Sequence, residues 1–174
     1  MPVLRKAALA GGTVIVTPPR GYCIDASSVS DRQGRGFALI GSCNTLTGAA
    51  SGVFVEPAII TLSVTKAQNG DTKTDSSTFQ TALGRGRILR AINRDDLSLL
   101  QVEGGATIPP SADERHWRGL MQVNGQVVGL ALYGAADGPM TGDQGMRLLV
   151  DLADAIRRDS HAAAVARPAT NAAE

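Results

Sequence analysis

Four arginines within residues 85–94 form the best candidate for an anion site in this sequence. They are Arg85, Arg87, Arg90 and Arg94, with Gly84 and Gly86 beside the first of them. Glycines allow a ligand to approach the backbone, a helix start offers unpaired N–H groups, and guanidinium groups bind anions through paired hydrogen bonds. The stretch therefore predicts a weak site for a small anion. It lacks the Gly-Lys-Ser/Thr of a phosphate loop, so a helix–helix joint with a solvated arginine face is the favoured interpretation and the anion site is its alternative.

Histidine is the next residue type that could do chemistry, and the sequence has two. His116 lies beside Asp113, Glu114 and Arg115, where it could act as a metal ligand or a general base. A solvated loop is the favoured interpretation of this segment, and His161 falls in a predicted tail. No Gly-x-Ser-x-Gly elbow occurs, and the loop carboxylates lack metal-loop spacing. We therefore predict no catalytic residue, no metal site and no cofactor, and enzymatic activity is not the favoured expectation.

The two cysteines, Cys23 and Cys43, are an even pair that could form one structural disulfide. Closing a loop of this length contributes about 3 kcal/mol on the chain-entropy estimate. Disulfides persist in oxidising compartments, so this bridge predicts a periplasmic or exported protein. The alternatives are two buried free thiols in a cytoplasmic protein, a redox pair, or a metal site that would be short of ligands.

Alternating apolar residues predict the strands that must position these side chains. Strands are expected over residues 13–17, 37–42, 58–65 and 97–102, and Asp25 is expected to cap a short helical turn. The strongest signal is Asn124-Gly125 between two apolar runs, which predicts a two-residue hairpin turn. In that register Val123 pairs with Gln126, and Trp117 pairs with Leu132. The side chains of Trp117, Met121, Val123, Val128, Leu130 and Leu132 should then face the core.

Helical spacing of apolar residues predicts the remaining elements. Helices are expected over 76–83 and within 86–96, which form a helical insertion, and over 141–158. Residues 160–174 are rich in alanine and are predicted to be a disordered tail. The fold class is therefore α+β, with a twisted antiparallel β-sheet on which the C-terminal helix and the helical insertion pack. Residues 1–159 should form a single domain.

Composition limits the class of partner. The net charge is +1, which argues against a general electrostatic binder of nucleic acid. No segment has the roughly 20 apolar residues needed to span a bilayer, and the N-terminus is interpreted as the start of the domain rather than as an export signal.

Three segments carry a family resemblance: Gly21-Tyr-Cys-Ile-Asp25, Gly41-Ser-Cys43, and the Asn124-Gly125 hairpin with its closing helix. Together they resemble small envelope proteins and lipoproteins of alphaproteobacteria, and the architecture is loosely PsbP-like. The resemblance implies no catalytic residues.

The leading hypothesis for function is a non-catalytic envelope binding or accessory module, whose partner is another protein or a membrane complex. One alternative is a small-anion-binding protein or enzyme that uses the arginines of residues 85–94. Another is a structural subunit of a larger assembly. The expected location is periplasmic or exported, with membrane association as an extension of this hypothesis and the cytoplasm as its alternative.

Overall fold

The computed structural model describes residues 2–50, 52–67, 84–105 and 108–166. It confirms an α+β fold built on a twisted antiparallel sheet with a C-terminal helix. The strands are β1 (Val3–Leu4), β2 (Ala7–Leu9), β3 (Val14–Val16), β4 (Tyr22–Asp25), β5 (Ser30–Arg32), β6 (Arg35–Ser42), β7 (Ala58–Lys66), β8 (Arg87–Arg94), β9 (Leu97–Glu103), β10 (Arg115–Val123) and β11 (Gln126–Gly134). The helices are α1 (Cys43–Thr47) and α2 (Asp143–Ala166), with 3₁₀ turns at Ala26–Ser28 and Pro139–Thr141.

The main sheet has the strand order β1-β4-β6-β7-β11-β10-β9-β8, and β5 pairs with β6 beside this path. Neighbouring strands are antiparallel throughout the described part of the sheet. Strands β2 and β3 form a separate hairpin. The sequence did not predict β1 and β2, because both strands are too short to show a clear alternation.

The predicted β10–β11 hairpin is confirmed together with its register. Val123 pairs with Gln126, and Trp117 pairs with Leu132. Asn124 and Gly125 have φ angles of 49° and 76°, the left-handed conformation that a type I′ turn requires. All six apolar side chains that were expected on one face are buried. The Asn-Gly turn therefore predicted the pairing of β10 with β11 correctly.

Helix α2 covers one face of the sheet together with the β2–β3 hairpin. Leu149, Leu152 and Ile156 recur at helical spacing and are fully buried in the main core. The core side chains of β6, β7, β10 and β11 lie beneath them. The core is thus made mainly of aliphatic residues, as the small number of aromatic residues requires.

The prediction that the chain is disordered from residue 160 onward is wrong for residues 160–166. Helix α2 continues to Ala166, because Ser160 is fully buried and its side chain bonds to β3. Alanine also has the highest helix propensity, so the following alanines extend the helix. Residues 167–174 of the predicted tail lie outside the described residues.

The predicted helix within residues 86–96 is also wrong, because residues 87–94 form strand β8. The pairing shifts between Ile88 and Arg90, so Leu89 is an extra residue in the strand. This bulge leaves Leu89 and Ile92, three residues apart, both half-buried, which imitates the spacing of a helix. The other predicted helix of the insertion, over 76–83, lies outside the described residues.

The Cys23–Cys43 disulfide is present, and it joins β4 to the first residue of α1. Ser42 caps α1 by accepting a hydrogen bond from the backbone of Thr45. The expected cap at Asp25 is confirmed, since its carboxylate accepts a hydrogen bond from the backbone nitrogen of Ser27. Both cysteine side chains are buried, so the bridge lies inside the protein.

Candidate functional site

The sheet face opposite α2 carries a group of polar side chains at its centre. His116 on β10 lies between Tyr133 on β11 and Val102 on β9, and all three are buried. The rings of His116 and Tyr133 are stacked, with centroids 5.1 Å apart. The period of two along β10 brings Arg118 to the same face as His116. We call His116, Arg118 and Tyr133 the polar cluster.

His116 is the second residue of β10 and is 0% exposed, so the interpretation of this segment as a solvated loop is wrong. Its Nδ1 atom donates a hydrogen bond to the carbonyl oxygen of Glu114 at 2.9 Å. A carbonyl can only accept, so the ring proton resides on Nδ1 and Nε2 carries a lone pair. This Nε2 atom is buried, and it has no hydrogen-bond partner in the described parts of the chain.

The surroundings of His116 favour the neutral ring. Burial lowers the pKa of His116 below its ordinary value, and the nearby charge of Arg118 lowers that pKa further. The hydrogen bond to Glu114 acts in the opposite direction and does not outweigh these two effects. These surroundings therefore favour the neutral form of His116.

Arg118 is a half-buried cation on the same face. Its guanidinium carbon lies 5.8 Å from the centre of the Tyr133 ring, within the range of a cation–π interaction. Its Nε atom is buried without a hydrogen-bond partner, and among the described residues it forms no ion pair. A half-buried cation in this state can still accept an anionic partner.

Asp113 anchors the chain just before the polar cluster. Its carboxylate accepts hydrogen bonds from the backbone nitrogens of Arg115 and Asp137, at 2.8 and 2.7 Å. These two bonds, with the charge of Arg115, hold the pKa of Asp113 below its usual range. Asp113 thus fixes the start of β10 against the loop after β11, and this positions His116.

Apolar side chains border the cluster on two sides. Leu100 on β9 pairs across from Arg118, and Leu120 follows two residues later on β10. Both leucines are half-buried and pack on Val102. The polar cluster therefore has an apolar border that is partly open to solvent.

The arginines predicted to bind an anion lie elsewhere, at and beside β8. Arg87 forms an ion pair with Glu103 at 2.8 Å, and Arg90 forms one with Asp143 at 2.9 Å. Arg90 also lies 5.0 Å from the centre of the Trp117 ring. No helix begins here, so the expected helix N–H groups are absent from this described stretch.

The structure brings these arginines to a strand that, among the described residues, pairs only with β9. Arg87, Arg90 and Arg94 lie along β8, and Arg85 precedes it. Charged side chains and a bulge on such a strand discourage pairing with other chains. The arginine run thus has a structural explanation that needs no ligand.

His161 is exposed on α2, far along the chain from the polar cluster. Within residues 2–50, 52–67, 84–105 and 108–166, no group of three or more His, Cys, Asp or Glu residues could hold a metal ion. Of the loop carboxylates, Asp71 and Asp75 lie outside the described residues. Asp95 and Asp96 form the β8–β9 turn, whereas Glu103 lies at the other end of β9, opposite Arg87.

Arg118 and Tyr133 were not predicted from the sequence as site residues. The hairpin register contains the necessary signal, because the pairing of Trp117 with Leu132 places His116 beside Tyr133 and leaves Arg118 on their face. No helix in the described part of the chain is long and apolar enough to cross a membrane. Comparison with protein-family models, with curated proteins and with solved structures gave no match to this chain.

Proposed function

We propose that this protein is a non-catalytic binding or accessory module that works in the periplasm or in another oxidising compartment. The observation that carries the proposal is the disulfide between Cys23 and Cys43. Both cysteines of the sequence are used in it. Disulfides persist in oxidising compartments and are reduced in the cytosol, which makes the bridge evidence about location.

A binding role, rather than catalysis, agrees with the contacts of His116. Its Nδ1 atom donates a hydrogen bond to a backbone carbonyl, and its Nε2 atom forms no hydrogen bond with a hydroxyl or thiol among the described residues. A histidine that activates a nucleophile needs such a partner. The cluster instead offers an unpaired acceptor and an unpaired cation, which are features of a binding site.

A protein or a membrane complex is the proposed partner, because the same sheet face also exposes apolar side chains. Phe37 on β6 and Ile59 on β7 are each 37% exposed, and Leu39 lies between them half-buried. Aromatic and aliphatic groups of this kind form the centre of many protein interfaces. This surface supports an accessory role beside the polar cluster.

Non-reducing mass spectrometry of protein made in its native host tests the location. Free thiols are first blocked with an alkylating agent at the moment of lysis. We expect an unalkylated protein whose mass is lower than that of the reduced form by two hydrogens. Alkylation of both cysteines in natively produced protein would contradict an oxidising compartment.

Crosslinking in intact host cells tests the binding role. We expect crosslinked species with the original protein that decrease in a double variant, Phe37→Ser with Ile59→Ser. The matched control is Thr65→Ser, which changes an exposed residue at the end of β7. Equal crosslinking by both variants would argue against this face as the partner surface.

A further inference from the structure

Two buried nitrogen atoms on one sheet face have no hydrogen-bond partner among the described residues: Nε2 of His116 and Nε of Arg118. Leaving a buried polar group unpaired costs about 1–3 kcal/mol. We propose that His116 and Arg118 together bind the carboxyl group of a small acid that has an apolar body. This inference rests on the binding role proposed above and specifies its ligand.

The two atoms have complementary hydrogen-bonding roles. Since Nδ1 of His116 donates to Glu114, Nε2 can only accept, whereas Nε of Arg118 carries a hydrogen and can only donate. A protonated carboxyl group offers one O–H donor and one carbonyl acceptor, which matches this pair. A phosphate or sulfate group has more acceptor oxygens than these two nitrogens can satisfy.

This pairing determines how many protons the protein exchanges with solvent when the acid binds. A carboxylic acid is ionised in neutral solution, so its binding takes up one proton from solvent, and no covalent bond forms or breaks. The proton lies between the carboxyl oxygen and Nε2 of His116. The acid and its proton together carry no net charge, so the site keeps the charge of Arg118, whose Nε atom donates a hydrogen bond to the other carboxyl oxygen.

The groups around His116 allow a proton to be taken up when the acid binds. Arg118 faces it from its own strand, Tyr133 from β11 and the apolar Val102 from β9. No carboxylate is among these described neighbours. Burial and the charge of Arg118 favour the neutral ring, because both lower the pKa of His116. A bound carboxylate supplies the missing negative partner and makes a proton at Nε2 favourable.

The apolar body of the ligand is inferred from the border of the site. Leu100 and Leu120 are half-buried beside Arg118, and Val102 is fully buried behind them. The ligand can approach over the two partly exposed leucines, with its carboxyl group toward Tyr133. A medium-length fatty acid or an aromatic acid has this combination of groups.

Isothermal titration of the intact, disulfide-bonded protein with octanoate tests the site, with octanol as the probe that lacks a carboxyl group. Titrations in two buffers of different ionisation enthalpy count the protons taken up. We expect octanoate to bind, octanol to bind at least tenfold more weakly, and about one proton to be taken up at pH 7.5. Affinity should fall as pH rises, by at most about tenfold per pH unit.

Variants assign the binding to the two residues. Arg118→Gln should weaken octanoate binding about tenfold or more, because a hydrogen bond to a charged group is lost. His116→Phe keeps a ring beside Tyr133 and should abolish proton uptake. Arg94→Gln, which removes an arginine from β8 instead, is the matched control and should bind as the wild type does.

Nitrogen NMR tests the site in the wild-type protein, so its result does not depend on whether a variant folds. The Nε2 resonance of His116 should move from the position of an unprotonated ring nitrogen toward that of a hydrogen-bonded, protonated one when octanoate is added. An unmoved resonance, octanol binding as tight as that of octanoate, or unchanged affinity in a folded Arg118→Gln protein would each overturn the site. If the protein is exported and disulfide-bonded, any of these three results would refute the carboxylic-acid site and leave the proposed location unaffected. Free thiols in protein from the native host would refute only the proposed location.

Discussion

The Oγ atom of Ser160 accepts a hydrogen bond from the backbone nitrogen of Ile15 at 2.8 Å, across 145 residues of chain. Ser160 lies near the end of α2, and Ile15 is the middle residue of β3. Asn124, in the turn of the central hairpin, donates its side-chain amide to the carbonyl oxygens of Thr13 and Ser160, at 2.9 and 3.0 Å. Three distant parts of the sequence therefore meet at one point.

Replacing Ser160 by alanine should destabilise the protein. The N–H group of Ile15, a buried residue, would lose its acceptor, and such a loss costs about 1–3 kcal/mol in the free energy of unfolding. Urea denaturation followed by circular dichroism measures this difference. Ser30→Ala, at an exposed position of β5, is the control. If both variants unfold at the same urea concentration, the Ser160–Ile15 bond does not stabilise the fold.

Replacing Gly145 by alanine should destabilise the start of α2. A Cβ atom there would overlap the carbonyl oxygen of Met140 and would lie 3.0 Å from Cδ1 of Trp117. Overpacking of this kind costs about 1–3 kcal/mol, which should exceed the gain of up to about 1 kcal/mol from the better helix propensity of alanine. Fluorescence of Trp117, the single tryptophan, reports the unfolding. Gly52→Ala, where a Cβ atom meets nothing within 4 Å, should change little.

The protein should lose stability on acidification through His116. Its pKa is lowered in the native state, so between the unfolded value near 6.5 and the lower native value the unfolded chain binds more protons. The contribution is fully present above the unfolded pKa and decreases as pH falls toward the native pKa. Urea denaturation at several pH values from 8 to 5 measures the slope. The slope should be smaller in His116→Phe and unchanged in His161→Gln, which alters an exposed histidine; equal slopes in all three proteins would refute the effect.

Tyr22 should contribute a loss of stability at alkaline pH. Burial, with the charge of Glu56, raises its pKa to about 12, and its hydroxyl donates to the carbonyl oxygen of Glu56 at 2.6 Å. The native state keeps this proton while the unfolded chain releases it near pH 10, so stability falls as pH rises from about 10 to 12. Absorbance titration of tyrosinate should show one late component that disappears in Tyr22→Phe. The same component should persist in Tyr133→Phe. If it is absent from that variant, the late component comes from Tyr133, and the prediction for Tyr22 is wrong.

Local patterns account for what the sequence could predict of the fold. Asn124-Gly125 specifies a turn whose geometry fixes the register of both flanking strands, so the β10–β11 pairing could be derived without knowledge of any other element. The expected strand over residues 97–102 was confirmed, but its neighbour β8 was predicted as a helix. The bulge at Leu89 shifts the alternation by one residue, and no local rule distinguishes that shift from a helical repeat.

Only part of the polar cluster could be predicted from such local patterns. The hairpin register implies that His116 and Tyr133 are neighbours, but β10 begins two residues earlier than the predicted strand, so His116 was assigned to a loop. Val102 and Leu100 come from β9, whose pairing with β10 is not encoded by a tight turn between them. The contact between Ser160 and Ile15 could not be predicted from the sequence, because the two residues are 145 positions apart and share no local pattern.

Asn124 and Ser160 also connect residues that are synthesised at very different times. A ribosome delivers Ile15 early and Ser160 only 145 residues later, and the hydrogen bond between them joins these two stages. The second hydrogen bond of Ser160 joins it to Asn124, which is synthesised between them. Contacts of such long sequence separation slow folding, because the intervening chain must first be brought together. The β2–β3 hairpin can therefore complete its contact with the end of α2 only after residue 160 has been synthesised.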